Sequence, residues 1–119
     1  MKNLNDLIKV GHDISSSPEA KELPYGIVTI SHQDMFVNNQ HYSYVGLEAG
    51  SKDRFVNVEG YQRYADLFVV YNKSTCKYTV EHNTHKGSKT ESLVINDELS
   101  TDEFRKICEE FIERVKNLN

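Results

Sequence analysis

The chain has no tryptophan, only two cysteines and two prolines, and no unbroken apolar run longer than Leu67 to Tyr71. Five residues in a row fall far short of the roughly 20 that a helix needs to cross a bilayer. Cys76 and Cys108 are too distant in sequence for a zinc knuckle or a CxxC redox pair. No phosphate-cradling glycine loop, nucleophile turn or paired carboxylates stand out. Met1 to Asp6 lacks the apolar core of a signal peptide, so a cytoplasmic location is expected. With a formal net charge of −4, the chain also lacks the positive field that general nucleic-acid binding draws on.

What remains is a chain of 119 residues, 38% of them hydrophobic, long enough for one domain with its own core and no staples. Its clearest local signal lies at the end. Phe104, Ile107, Cys108, Phe111, Ile112 and Val115 recur at three- and four-residue steps and form one apolar stripe on a helix. Ser100 and Glu103 have capping-box spacing, and Asp102 complements the positive helix end. Glu103, Arg105, Lys106, Glu109, Glu110, Glu113 and Lys116 occupy the opposite face. Cys108 on the stripe reads as a small buried hydrophobe.

Near the start, Leu4, Leu7, Ile8, Gly11 and Ile14 have helical spacing, although Gly11 weakens that helix by about 1 kcal/mol relative to alanine. Ser16 with Glu19, or Ser17 followed by Pro18, would cap one further helical turn through Glu22. Ile27 to Ser31, Tyr42 to Glu48, Phe55 to Glu59, Asp66 to Tyr71, Cys76 to Asn83 and Glu91 to Asn96 are rich in β-branched and aromatic residues and read as strands. Asn38-Asn39, Ala49 to Asp53, Glu59-Gly60, Asn72 to Thr75 and His85 to Ser88 read as turns, and connections this short make neighbouring strands antiparallel. Leu67 to Tyr71 is expected to be a central strand covered on both faces at its middle. Cys76, Tyr78 and Val80 alternate with the water-facing Lys77, Thr79 and Glu81. The expected fold is α+β: an antiparallel sheet of five or six strands, an N-terminal helix, and a C-terminal amphipathic helix packed on one face, in a single domain spanning 1–119.

Four groups of residues invite a chemical reading. Cys76, His82 and His85 include two metal-ligating histidines three apart, but no fourth ligand is near. His32, Asp34 and His41 could form an acid–base set, yet no nucleophile accompanies them, and no catalytic residue or cofactor is assigned. From Asn72 to Lys89, Lys73, Lys77, Lys86 and Lys89 with Tyr71 and Tyr78 could meet a nucleic acid; lysines also guard sheet edges. Finally, the tyrosines exceed what a core of this size requires. Tyr61 and Tyr64 flank Arg63 in a polar stretch where burial is not demanded, and tyrosine and arginine are frequent interface anchors. From Glu91 to Glu113, eight carboxylates stand against Arg105 and Lys106.

These features lead to a small acidic protein-binding module of the inhibitor or immunity type, neutralising a basic, nucleic-acid-processing partner. The expected contacts are Tyr61, Arg63, Tyr64, Glu109, Glu110 and Glu113. The alternatives are a small-ligand or metal-binding domain using the concave side of the sheet, and nucleic-acid binding through the lysine-rich hairpin 72–89.

Overall fold

In the computed structural model, the structure describes residues 3–23, 26–50, 65–84, 87–93 and 99–117. Two helices open the chain, α1 (Leu4–Ser15) and α2 (Pro18–Lys21). Five strands follow, β1 (Ile27–Val37), β2 (Gln40–Ala49), β3 (Ala65–Asn72), β4 (Lys77–Thr84) and β5 (Gly87–Leu93), and then α3 (Thr101–Lys116). The fold is α+β, as expected. Each strand pairs antiparallel with its neighbour in sequence, giving one sheet in the order β1-β2-β3-β4-β5. The predicted strand at Phe55–Glu59 lies outside the described residues, as do residues 94–96 of the predicted last strand.

Local chemistry sets the element ends. Ser100 caps α3 by accepting the Glu103 N–H at 3.1 Å, and Asp102 and Glu103 fill its first turn. For α2 the cap is Ser17, which accepts the Ala20 N–H at 3.3 Å with Pro18 in the first turn. Asn38 and Asn39 both adopt left-handed φ, 52° and 63°, as a two-residue hairpin whose twist matches its strands requires. That tight turn carries β1 to Val37 rather than stopping it at Ser31. β5 likewise starts at Gly87, because Thr84 pairs with Gly87 across a two-residue connection.

Parity of the strands then builds the core. Val45, Leu47 and Ala49 of β2, Ala65, Leu67 and Val69 of β3, and Tyr78 and Val80 of β4 point to one face and are buried. Onto that face pack Leu4, Leu7, Val10 and Ile14 of α1 and Phe104, Cys108, Phe111, Ile112 and Val115 of α3. Ile107, at the rim of the stripe, is half-buried. Gly11 has a use that its low helix propensity conceals: a Cβ there would lie 2.8 Å from Thr29 Cγ2. Its bare backbone lets α1 settle directly on β1.

One expectation is corrected. Leu67 to Tyr71 is central in the sheet, but among the described residues only its helix-facing side is covered at the middle. Phe68 and Val70 point away from the helices and are half-exposed, because no described element packs on that side.

Candidate functional site

The face opposite the helices is where apolar side chains stand without a covering layer among the described residues. Tyr44 pairs with Val70 and Tyr42 with Asn72 across β2–β3. Phe68 pairs with Glu81 across β3–β4, and Met35 with Tyr42 across β1–β2. All alternate with core residues, so all point outward. Together Met35, Val37, Tyr42, Tyr44, Phe68, Val70 and Glu81 line a hollow of about 410 Å³. That volume falls within the range of small-molecule and side-chain pockets.

The hollow is held in shape. A Cβ at Gly46 would collide with the Phe68 ring and the Leu67 carbonyl, so glycine lets Phe68 lie flat over the β2 backbone. Tyr44 then meets Phe68 edge to face, with centroids 5.5 Å apart and planes at 88°, a favoured geometry for paired rings. The His32 ring lies 6.0 Å from Tyr44. Tyr42 donates its hydroxyl to Gln40 Oε1 at 2.7 Å, and Asn72 Nδ2 donates to the same oxygen at 2.9 Å. At the rim Val37 is 43% exposed, and Val28, further along the same strand, is 36% exposed. At the other end of this face lie Glu48 and Asp66, adjacent across β2–β3 and both buried. Asp66 accepts a hydrogen bond from Asn83 Nδ2 at 2.6 Å.

The expected contact residues divide between two places. Glu109, Glu110 and Glu113 are exposed on the outer side of α3, across the sheet from the aromatic hollow. Glu109 and Glu113 border a groove of about 440 Å³ that Asp13, Ser17 and Glu19 complete from the first two helices. Arg105 spans it, 3.7 Å from Asp13, and Lys116 lies 3.7 Å from Glu113. Tyr61, Arg63 and Tyr64 lie outside the described residues.

His32, Asp34 and His41 do come together, on the β1–β2 hairpin rather than in a loop. His41 Nδ1 and Lys73 Nζ are each 3.5 Å from Asp34 Oδ1, and His32 Nδ1 accepts the Asp34 N–H at 3.2 Å. Asp34 is 70% exposed, so solvent screens the cluster.

The metal reading does not survive the geometry. Cys76 is not on the strand face of His82 but in the β3–β4 turn, exposed, with φ 57°. Six residues of extended chain put it about 20 Å from His82, and His85 lies outside the described residues. Among the described residues no cluster of three histidine, cysteine or acidic side chains is placed to hold a metal ion. His82 is instead buried against the helical layer, its Nδ1 without a hydrogen-bond partner. Burial, then Arg114 and Lys89, lower its pKa against the opposing pull of Glu91 and Glu110.

The described lysines of the hairpin do not form a basic stripe, and Lys86 lies outside the described residues. Lys77 and Lys89 lie at opposite ends of the β4–β5 ladder and on opposite faces. Lys73 pairs with Asp34 and Lys89 with Glu91 at 2.6 Å. Tyr78 is fully buried, its ring 4.6 Å from that of Tyr71, and cannot stack on a base. Cys108 is also buried, which pushes its thiol up to about 12.

Comparison with protein-family models, curated proteins and solved structures found no match to this chain. Sequence reasoning passed over the aromatic hollow, although two signals for it were present. Leu67 to Tyr71 is apolar at both parities, and Tyr42 and Tyr44 alternate with Ser43 and Val45, so both faces of β2 and β3 carry apolar bulk.

Proposed function

We propose that this protein is a binding module for a protein with a basic surface, and that its recognition face is the side of the sheet opposite the helices. One observation carries the reading: a ready-formed hollow walled by Tyr42, Tyr44 and Phe68 sits on a face that no described element covers. Exposed apolar patches with rigid aromatics are what interfaces are built around. The basic character of the partner is supported by the net charge of −4 and by Glu81, the one charged side chain among the described residues that line the hollow. A cytoplasmic setting belongs to the same proposal and is supported by Cys76, an exposed free thiol of the kind that persists where the surroundings are reducing.

A second reading keeps the partner and changes the face. The groove lined by Asp13, Glu19, Glu109 and Glu113 would receive the basic surface of a nucleic-acid-processing enzyme, and the protein would act as its inhibitor. Complementary charge of this kind mainly raises association rate and excludes wrong partners.

The two readings separate with a purified partner and surface plasmon resonance, after circular dichroism confirms that each variant folds. Tyr44→Ala and Val70→Lys should speed dissociation, by about 2 kcal/mol if Tyr44 is an anchor. Triple reversal of Glu109, Glu110 and Glu113 to lysine should then leave dissociation nearly unchanged. Loss of binding only in the triple variant would move the interface to the helical side, and unchanged kinetics in every variant would reject both faces.

A further inference from the structure

We infer that the hollow on the sheet face opposite the helices takes a cationic side chain, the aliphatic arm and charged head of a lysine or arginine from the docking protein. The inference rests on the proposed recognition face and goes further by naming what enters it. The lining decides the chemistry. Tyr42, Tyr44 and Phe68 supply aromatic rings, whose faces carry partial negative charge. Met35 and Val70 supply apolar contact for an alkyl arm, and Glu81 supplies a full negative charge at the far wall. Among the described residues no cation lines the hollow, and none of the described basic side chains forms a salt bridge with Glu81. Among the described lining residues the one formal charge is therefore negative. A neutral apolar guest would leave Glu81 to be desolvated without a partner, which is costly. A cation on an apolar arm satisfies both rings and carboxylate, since a cation within about 6 Å of a ring centroid is attracted to its face.

Gly46 has a part in this arrangement. By letting Phe68 lie against the β2 backbone, it allows Phe68 to meet Tyr44 edge to face. Phe68→Leu removes a ring while keeping apolar bulk, and Glu81→Gln removes the charge while keeping the shape.

The test uses the full chain and three probes in heteronuclear NMR titrations: Nα-acetyl-lysine methylamide, its neutral norleucine counterpart, and choline. The lysine probe should shift resonances of Tyr44, Phe68, Val70 and Glu81 with millimolar affinity. The norleucine probe should bind several-fold more weakly. Glu81→Gln should weaken the lysine probe about fivefold and leave the norleucine probe unchanged, while Phe68→Leu weakens both. Equal affinity for the lysine and norleucine probes, at the same residues, would overturn the cation assignment and leave the docking face intact. Choline binding tenfold tighter than the lysine probe would also overturn it, in favour of a free quaternary ammonium compound. If no probe shifts these residues, the assignment fails, and the docking face is still judged by its own Tyr44 and Val70 variants.

Discussion

Gly11→Ala sets two effects of known sign against each other. In the middle of α1, alanine is favoured over glycine by about 1 kcal/mol. The added methyl, however, would lie 2.8 Å from Thr29 Cγ2, roughly 1 Å inside the normal carbon–carbon contact distance of about 3.5–4.0 Å. Overpacking of this kind costs about 1–3 kcal/mol. Because Thr29 is β-branched and Ser15 Oγ lies 3.4 Å from its hydroxyl, its side chain has little freedom to retreat. The clash should win, and Gly11→Ala should destabilise by about 1 kcal/mol in urea unfolding followed by circular dichroism. Thr29→Ser removes Cγ2 and leaves the hydroxyl, whose oxygen would be 3.3 Å from the new methyl. In that background Gly11→Ala should stabilise by about 0.5–1 kcal/mol, a coupling well above the noise of a double-mutant cycle. If Gly11→Ala stabilises the otherwise unchanged protein and shows no coupling to Thr29, then α1 can move off β1 at no cost and the close approach does not fix the helical layer.

Phe111 is buried on α3, so Phe111→Ala should lower stability by about 3–5 kcal/mol, whereas Glu109→Ala on the exposed face should change it by less than about 0.5 kcal/mol; similar urea midpoints would put the wrong face of α3 on the core. His82 is held below its ordinary value of 6.5, so its contribution is whole above that pH. As pH falls, the unfolded chain takes up a proton that the native His82 resists, and stability is lost down to the native pKa. His82→Gln should flatten this part of the profile between about pH 7.5 and about pH 5.5, and an unchanged slope would refute the assignment. With one thiol exposed and the other buried, a thiol reagent should label only Cys76 in the native protein and both cysteines after denaturation; native labelling of Cys108 would show that its burial is not maintained. Cys76 also sits in the left-handed region at φ 57°, so Cys76→Gly should raise stability by up to about 1 kcal/mol, and a loss would mean the thiol makes contacts that outweigh the strain.

How legible each element was in the sequence depends on whether burial or backbone pairing creates it. The α3 stripe and the Ser100 cap are written in residue spacing, because a helix that buries one face must repeat its apolar residues every three or four positions. The outer half of β1 is not written that way. His32, Gln33 and Asp34 are polar and exposed, and they are strand only because the Asn38-Asn39 turn returns β2 alongside them, with a bulge between His32 and Met35. Edge strand β5 begins with Gly87, Ser88 and Lys89 for the same reason: its register comes from β4, not from an apolar pattern. The candidate site fared worse. Carboxylates on α3 were legible as exposed, but exposure of a charged helix face is the ordinary state. The aromatic hollow depends on which parity of β2 and β3 the helices cover, and that is decided by tertiary packing.

The strictly sequential order of the sheet has a kinetic consequence. Each described strand pair joins neighbours in sequence, and the two-residue hairpins β1–β2 and β4–β5 can close on local contacts alone. The helical layer cannot, because α1 and α3 come from opposite ends of the chain and meet only after the sheet has brought those ends near each other. Closing so long a loop in the disordered chain would carry a larger entropic penalty than closing any hairpin. An assembling sheet would therefore expose Val45, Leu47, Leu67 and Val69 on one side and Phe68 and Val70 on the other until the helices dock. For that interval it is apolar on both sides, so refolding yield should fall with protein concentration even though the finished molecule hides one of those sides completely.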